Sequence, residues 1–488
     1  MKPYILTYIG IFFLVISFTA CTDDFEELNT DPNQPTSVPT SYLMTNAQRA
    51  AQGFFFYTGS IYIQHMANTQ YTRTTDLYEG IEASFYGNYN SELNDFEEII
   101  RLNTSEDTKD AAAASGSNNN QIGVARVMKA YVFHQLADVW GDIPYSQALK
   151  GRENFNPAYD TQEAVYRDLL TELKEAAAQM DGGTIDGDLI YGGDTDMWKK
   201  FANSLRLRLA MRLSEVDPGT AQAEINDAIA GGVIESNDEN ALYRFLSDAN
   251  NDNYIFAHFL TRTDYAIAET LAEFMRERND PRLDIYGDPA PLFGEVRGMP
   301  IGLSESVAGS ITNDEISFPG QAVRQATTPL IMMSYSEVSF IKAEAAARGW
   351  ISEDAQTLYE EGITASIRYW ENTSNGLGIP VDPIDVDAFI AEAEVAWDES
   401  KAIQLINEQK WVSLYTQGQE AWANWRRTSW PVLTPAPDAV EGRDIPRRRA
   451  YTNDEFQLNQ ANYNEALSRM GGTDLMSTTT WWDPGRQR

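Results

Sequence analysis

The chain has 488 residues, 43% of them hydrophobic and 11% aromatic, which is enough apolar side chain to bury one or two sizeable cores and excludes a disordered protein. Lysine and arginine total 37 against 72 aspartates and glutamates, and the resulting formal charge of −35 excludes nucleic acid as a partner of the bulk surface. One cysteine excludes a disulfide framework, and three histidines (His65, His134 and His258) leave little for a metal centre, so no cofactor is expected.

The first element is an address. Lys2 is the only charge before Asp23, and from Tyr4 to Phe18 the chain is apolar, followed by Thr19, Ala20 and Cys21. Residues 1–20 therefore read as a signal peptide, with an apolar run shorter than the roughly 20 residues of a membrane-spanning helix. Cys21, directly after a small residue, is expected to be the lipidated mature N-terminus, because its thiol is where a diacylglyceryl group would be attached. Residues 21–40 are acidic and carry Pro32, Pro35 and Pro39, the composition of an extended tether. A single helical domain is expected over 41–488.

Helical periodicity dominates that domain. Amphipathic stretches fall at about 122–139, 334–348, 355–370, 400–417 and 454–468. Two more are marked by Tyr166, Leu169, Leu170, Leu173 and Ala177 and by Trp198, Phe201, Ala202, Leu205, Leu209 and Leu213. Asp160 with Glu163 reads as a capping box for the helix at 166, and Gly182-Gly183 as its stop. The stretches come in neighbouring pairs, and the small residues Ala343, Ala345, Ala346, Ala347 and Gly349 point to tetratricopeptide-like hairpins, so the fold class is mainly α. Two segments, about 70–120 and 235–330, are dense in Gly, Pro, Asn and Asp, and are expected to be irregular insertions.

Motifs for chemistry are sparse. Asp181 to Asp196 alternates carboxylates with glycine but lacks the glutamate that closes a calcium loop, and Asp248 to Tyr254 fails the same template, so both read as solvated turns. His134 and Asp138, four apart on one helix, read as capping or surface polar groups. No nucleophile elbow, zinc-protease helix or phosphate loop is present. What stands out is 11 Trp, 24 Tyr and 21 Phe, many in the insertions, among them Phe85 and Tyr89. Rings on loops offer faces for sugar C–H groups or peptide side chains. Trp140, Trp411, Trp422 and Trp425 lie on or beside helices and read as core.

Five blocks in order resemble the SusD/RagB family of Bacteroidetes outer-membrane nutrient-binding lipoproteins: residues 25–39 (FEELNTDPNQPTSVP), 136–149 (LADVWGDIPYSQAL), 189–213 (LIYGGDTDMWKKFANSLRLRLAMRL), 337–351 (EVSFIKAEAAARGWI) and 409–433 (QKWVSLYTQGQEAWANWRRTSWPVL). The resemblance implies four tetratricopeptide-like helix pairs with the insertions packed on one side as the ligand surface. It also implies a SusC-type TonB-dependent transporter as partner and, through the acidic run after Cys21, display on the outer face of the outer membrane. Ligand residues are implied at about 70–90 and 285–300, where Tyr71, Arg73, Asp76, Tyr78, Tyr86, Tyr286, Phe293 and Arg297 are the candidates. A glycan or oligosaccharide is the expected ligand and the protein is expected not to be an enzyme. The alternatives are a peptide ligand, as in the RagB branch, and an exported glycoside hydrolase, which would need two facing carboxylates about 5 Å or 6.5–9.5 Å apart.

Overall fold

Short polar side chains cap several of the helices, and a computed structural model describing residues 38–52, 56–80 and 84–485 gives their limits. Helices α1 (Thr40–Ala50) and α2 (Glu92–Thr104) precede four antiparallel pairs. These are α3 (Asn118–Trp140) with α4 (Gln162–Gln179), α5 (Thr195–Arg212) with α6 (Pro218–Ala230), α7 (Tyr335–Ala347) with α8 (Ala355–Gly376), and α9 (Ala402–Ser413) with α10 (Gly418–Thr428). Thr161, Asp194, Asp217, Ser334 and Asp354 accept backbone N–H groups of the first turns of α4 to α8. Each such cap satisfies a donor the helix itself cannot, at about 1 kcal/mol apiece. This is the mainly α, tetratricopeptide-like architecture that the periodicity predicts.

Local details differ from the sequence reading. The cap of α4 is Thr161, not Asp160, whose carboxylate instead accepts the N–H groups of Tyr145 and Ser146. The 70–120 segment is only partly irregular, because Leu93, Phe96 and Ile99 recur at steps of three and bury one face of α2 against α3. The stretch at 400–417 stops at Ser413, and the one at 454–468 is two short helices, Asn453–Leu458 and Gln460–Arg469. Asp188, in the glycine-rich turn, is not simply solvated. It accepts N–H groups from Ile190, Tyr191 and Gly193 and the Trp198 indole, and so fixes the entry to α5. The signal segment and Cys21 lie outside the described residues, among which no helix is long and apolar enough to cross a membrane.

The strands are short and antiparallel: β1 (Met66–Asn68) with β5 (Tyr265–Ile267), β2 (Ile143–Pro144) with β3 (Tyr159–Asp160), and β4 (Ala241–Tyr243) with β6 (Leu330–Met333). Trp140, Trp198, Trp411 and Trp422 fill the core, and the indole N–H of Trp411 and Trp422 donates to the carbonyls of Ile63 and Pro446. Gly362 of α8 lies flat against the Phe340 ring of α7, where a Cβ would come within 2.8 Å of ring carbon, so only glycine lets that pair close.

Across the pairs runs a buried ionic network. From α5, Arg208 makes a two-pronged bond to Glu337 of α7 (2.9 and 2.7 Å), and Arg212 reaches Glu420 of α10 (2.6 Å) and Asp138 of α3 (3.3 Å). Arg427 of α10 grips Glu344 of α7 with bonds of 2.6 and 2.7 Å. Lys410 of α9 lies 3.6 Å from Glu337 and 3.9 Å from Glu420. Arg426 is held between the Trp422 and Trp482 rings. Burial alone would raise the carboxyl pKa values of Glu344 and Glu420. Arg427 beside the first, and Arg212 with Arg208 beside the second, outweigh burial and hold both below the usual range, Glu420 at about 2.

Replacing Arg427 by Met removes both of its bonds to the buried Glu344 and leaves that carboxylate with Arg348 (2.9 Å) as its charged partner, with an expected loss of up to about 3 kcal/mol in urea unfolding. The double variant Arg427→Met/Glu344→Met strands no charge and loses much less. The two depressed carboxylates contribute stability that is complete above about 4.5, the ordinary glutamate value, and is lost as pH falls toward 2. Acid titration of wild type against the double variant reads Glu344's share of that loss directly.

Candidate ligand-binding face

On the side of the helices that carries the insertions, four irregular segments join into one face. The β1–β5 pair continues into a bond from Thr69 N–H to the Asp264 carbonyl (2.7 Å), which lays residues 69–80 beside 259–264. Leu292 N–H donates to the Asp314 carbonyl (2.9 Å) and Asn313 Nδ2 to Thr263 Oγ1 (3.2 Å), so the 287–297 loop joins the same group. Val440 N–H donates to the Leu77 carbonyl (2.9 Å), and Arg443 to the carbonyls of Tyr78 and Glu79 (3.0 Å each), closing the face with 434–443.

Within 68–80 the chain sorts its side chains in and out. The Asn68 side-chain oxygen accepts the N–H groups of Gln70 and Tyr71, a tight Asx turn that turns Tyr71 outward, where it is 53% exposed. Asp76 folds back under this turn to accept Asn68 N–H (3.0 Å) and the Thr75 hydroxyl (2.7 Å). Burial pushes its carboxyl up to about 7. Tyr78 also points inward: its phenol oxygen accepts Ala436 N–H (3.1 Å) and its ring meets Tyr62 edge-on. Asp76 and Tyr78 are therefore internal struts of the loop, with no surface to offer a ligand, which corrects the sequence reading of both. Arg73 is exposed and paired with Glu79 (2.8 Å).

Two rings on this face are backed by cations. The Arg262 guanidinium lies 5.3 Å from the Tyr71 ring centroid and is itself anchored on Asp264 (2.5 Å). Arg297 lies 4.0 Å from the centroid of Phe293, which is 46% exposed, and pairs with Glu295 (3.2 Å). A cation on one face of a ring restrains it and leaves the other face free. Tyr286, by contrast, is a core residue. It stacks on Tyr415 at 4.4 Å and donates its hydroxyl to the Val412 carbonyl, so a mid-chain position does not make it a ligand residue. Tyr86 stands apart from Tyr71, in a groove formed by the 144–157 loop and the Asn453–Leu458 helix. Sequence reasoning missed Arg262, which no aromatic count would find; its signal was an Arg-Thr-Asp run inside a segment already read as insertion.

His134 and Asp138 are buried, not surface groups, and with Glu420 they offer ligand atoms within 4.8 Å of one another. Arg212 already binds both carboxylates, Arg208 stands 3.4 Å from Glu420, and burial pushes His134 down to about 3. A divalent cation there would face two guanidinium groups in a cluster whose negative charge is already balanced, so the trio fits the ionic network and not a metal.

A family model described as starch-binding and associating with the outer membrane matches residues 32–452. The chain belongs to the SusD-like family. Among solved SusD-like and related structures, a chitin-binding protein is 30% identical, with a TM-score of 0.80 over 91% of this chain and 100% of its own. A SusD homologue from Bacteroides fragilis is 26% identical, with a TM-score of 0.77 over 93% of this chain and 100% of its own. A chitin-binding SusD homologue from Flavobacterium johnsoniae shares the fold at 24% identity, with a TM-score of 0.74 over 92% of this chain and 98% of its own. No curated protein matches. SusD-like proteins are binding proteins associated with the outer membrane.

The raised carboxyl of Asp76 makes a signed prediction. A folded-state pKa above the unfolded value of 3.8 means stability is lost as pH rises from there through about 7, where the buried carboxylate must ionise. Asp76→Asn keeps an oxygen for Asn68 N–H and turns the second bond round, its amide N–H donating to Thr75 Oγ1, without the charge. Its melting temperature should match wild type near pH 4 and exceed it by a margin that grows up to pH 8.

Proposed function

We propose that this SusD-like protein binds glycan at the cell surface and passes it to a SusC-type TonB-dependent transporter. The observation that carries this reading is the pair of cation-backed rings, Tyr71 over Arg262 and Phe293 over Arg297, exposed on one loop face. A restrained ring with one open face suits the weakly positive axial C–H groups of a sugar, and the family description and the chitin-binding relative support a carbohydrate over a peptide. Cys21 would carry the lipid anchor, residues 21–40 the tether, and residues 41–488 the binding domain, displayed on the outer face of the outer membrane. Arg73, beside Tyr71 on the exposed side of its loop, would supply hydrogen bonds to hydroxyl groups.

Calorimetry against starch- and chitin-derived oligosaccharides, with oligopeptides as the comparison, tests the reading. Tyr71→Ala and Phe293→Ala should each lose about 1–3 kcal/mol of glycan binding, as stacked rings do, with unchanged melting temperature. If both variants bind as wild type does, the face is misassigned, and if only peptides bind, the ligand class is wrong. Cys21→Ala should leave the outer-membrane fraction; its retention there would refute lipid anchoring.

A further inference from the structure

On a different part of the surface, a groove of about 440 Å³ lies between the helical turn at Tyr86–Asn90, the 144–157 loop and the short helix Asn453–Leu458. It shares no lining residue with the Tyr71 or Phe293 surroundings described above. Its floor is Phe85, buried edge-on against Trp140, and its walls are Tyr86 and Tyr89. Tyr89 donates its hydroxyl to the Pro144 carbonyl, and Tyr86 packs edge-on against Phe85 beside the buried Glu455, which accepts the Tyr159 hydroxyl. Phe155 stands at the rim, 77% exposed, and Leu458 faces the groove, 66% exposed. A large ring left this bare on a loop costs solvation and contributes nothing to the core.

Two basic side chains stand at the mouth. Lys150 and Arg152 both line the groove, and neither is paired with an acid among the described residues. In a chain with nearly two acids for every base, most basic side chains are claimed by a carboxylate, as Arg126 and Lys129 are close by. Two adjacent unclaimed cations beside fixed rings therefore leave positive charge for something that is not part of this chain. The side-chain amides of Asn90 and Asn94 are exposed along the groove and make no hydrogen bond among the described residues, so donors and acceptors for hydroxyl groups are present as well.

We propose that this groove is a second binding site, for an acidic oligosaccharide: a sugar ring stacks between Phe155 and the Tyr86–Tyr89 wall while its carboxylate or sulfate meets Lys150 and Arg152. A neutral glycan would leave the cations unused, and an apolar peptide would leave the amides unused. The site stands independently of the loop face, since none of its residues belongs to that face.

The test uses the full mature chain, with an oligogalacturonide of four residues as the acidic probe, a neutral maltotetraose and a glutamate-rich peptide, each at low and high salt. The oligogalacturonide should bind, and Phe155→Ala should weaken it roughly tenfold, the scale of one stacked ring. Lys150→Ala/Arg152→Ala should weaken it at low salt and abolish most of the salt dependence. Tyr71→Ala should leave it unchanged, so failure here is separable from failure of the loop face. All replaced side chains are exposed, and thermal melts confirm that the variants fold. Absence of oligogalacturonide binding overturns the proposal. So does binding indifferent to Phe155 and to the two cations, equal affinity for maltotetraose, or a peptide that competes through Phe155.

Discussion

The bonds from the α5 arginines to their partners on α3, α7 and α10 are the constraint on which the fold depends. Arg208 and Arg212 cannot be buried unless Glu337, Glu420 and Asp138 arrive at fixed positions, and those residues sit on three other helices. Apolar packing is tolerant of small shifts, whereas a two-pronged bond at 2.7–2.9 Å is not. The network therefore sets the register between helix pairs that look alike in sequence pattern. It also explains why the Leu-Arg-Leu-Arg-Leu run of α5 is buried on every side: its leucines pack, and its arginines are neutralised from neighbouring helices.

The loop face rests on that rigid base. The face built by 69–80, 259–264, 287–318 and 434–443 holds little regular structure, yet each segment is tied to a neighbour by backbone bonds, and the first is pinned from below by Asp76 and Tyr78. What reaches solvent is a small set of side chains whose orientation is already determined. Arg262 on Asp264, and Arg297 on Glu295, do for the rings what a second wall would do in a deeper cleft. Side chains held this way have little ordering entropy left to lose in any contact they make.

Much of this was legible in the sequence, for reasons tied to period. Leu169, Leu173, Leu205 and Leu209 recur at helical spacing, so their burial followed, as did that of Trp411 and Trp422. The order of the five blocks gave the family. Loop side chains have no period, and there the reading divided: Tyr71 and Phe293 face out, whereas Tyr78 and Tyr286 face in, although all four lie among Gly, Asn and Asp. Inward or outward was decided by a partner far away in the chain, Ala436 for Tyr78 and Tyr415 for Tyr286. His134 and Asp138 failed for the same reason. Spacing put them on one helix face, but only the position of Arg212 and Glu420 made that face an interior one.

The β1–β5 pair, three residues on each side, joins Met66 near the start of the domain to Ile267 past its middle. Helix pairs such as α5 with α6 close on near neighbours, while this pairing must wait for a distant stretch of chain to be made and brought back. The loop face therefore closes only once the chain as far as Ile267 has been made, just as the helix pairs lock together only once α10 brings Glu420 to Arg212. A proteolytic nick between the two strands would turn a link within one chain into a contact between two fragments, joined there by three residue pairs.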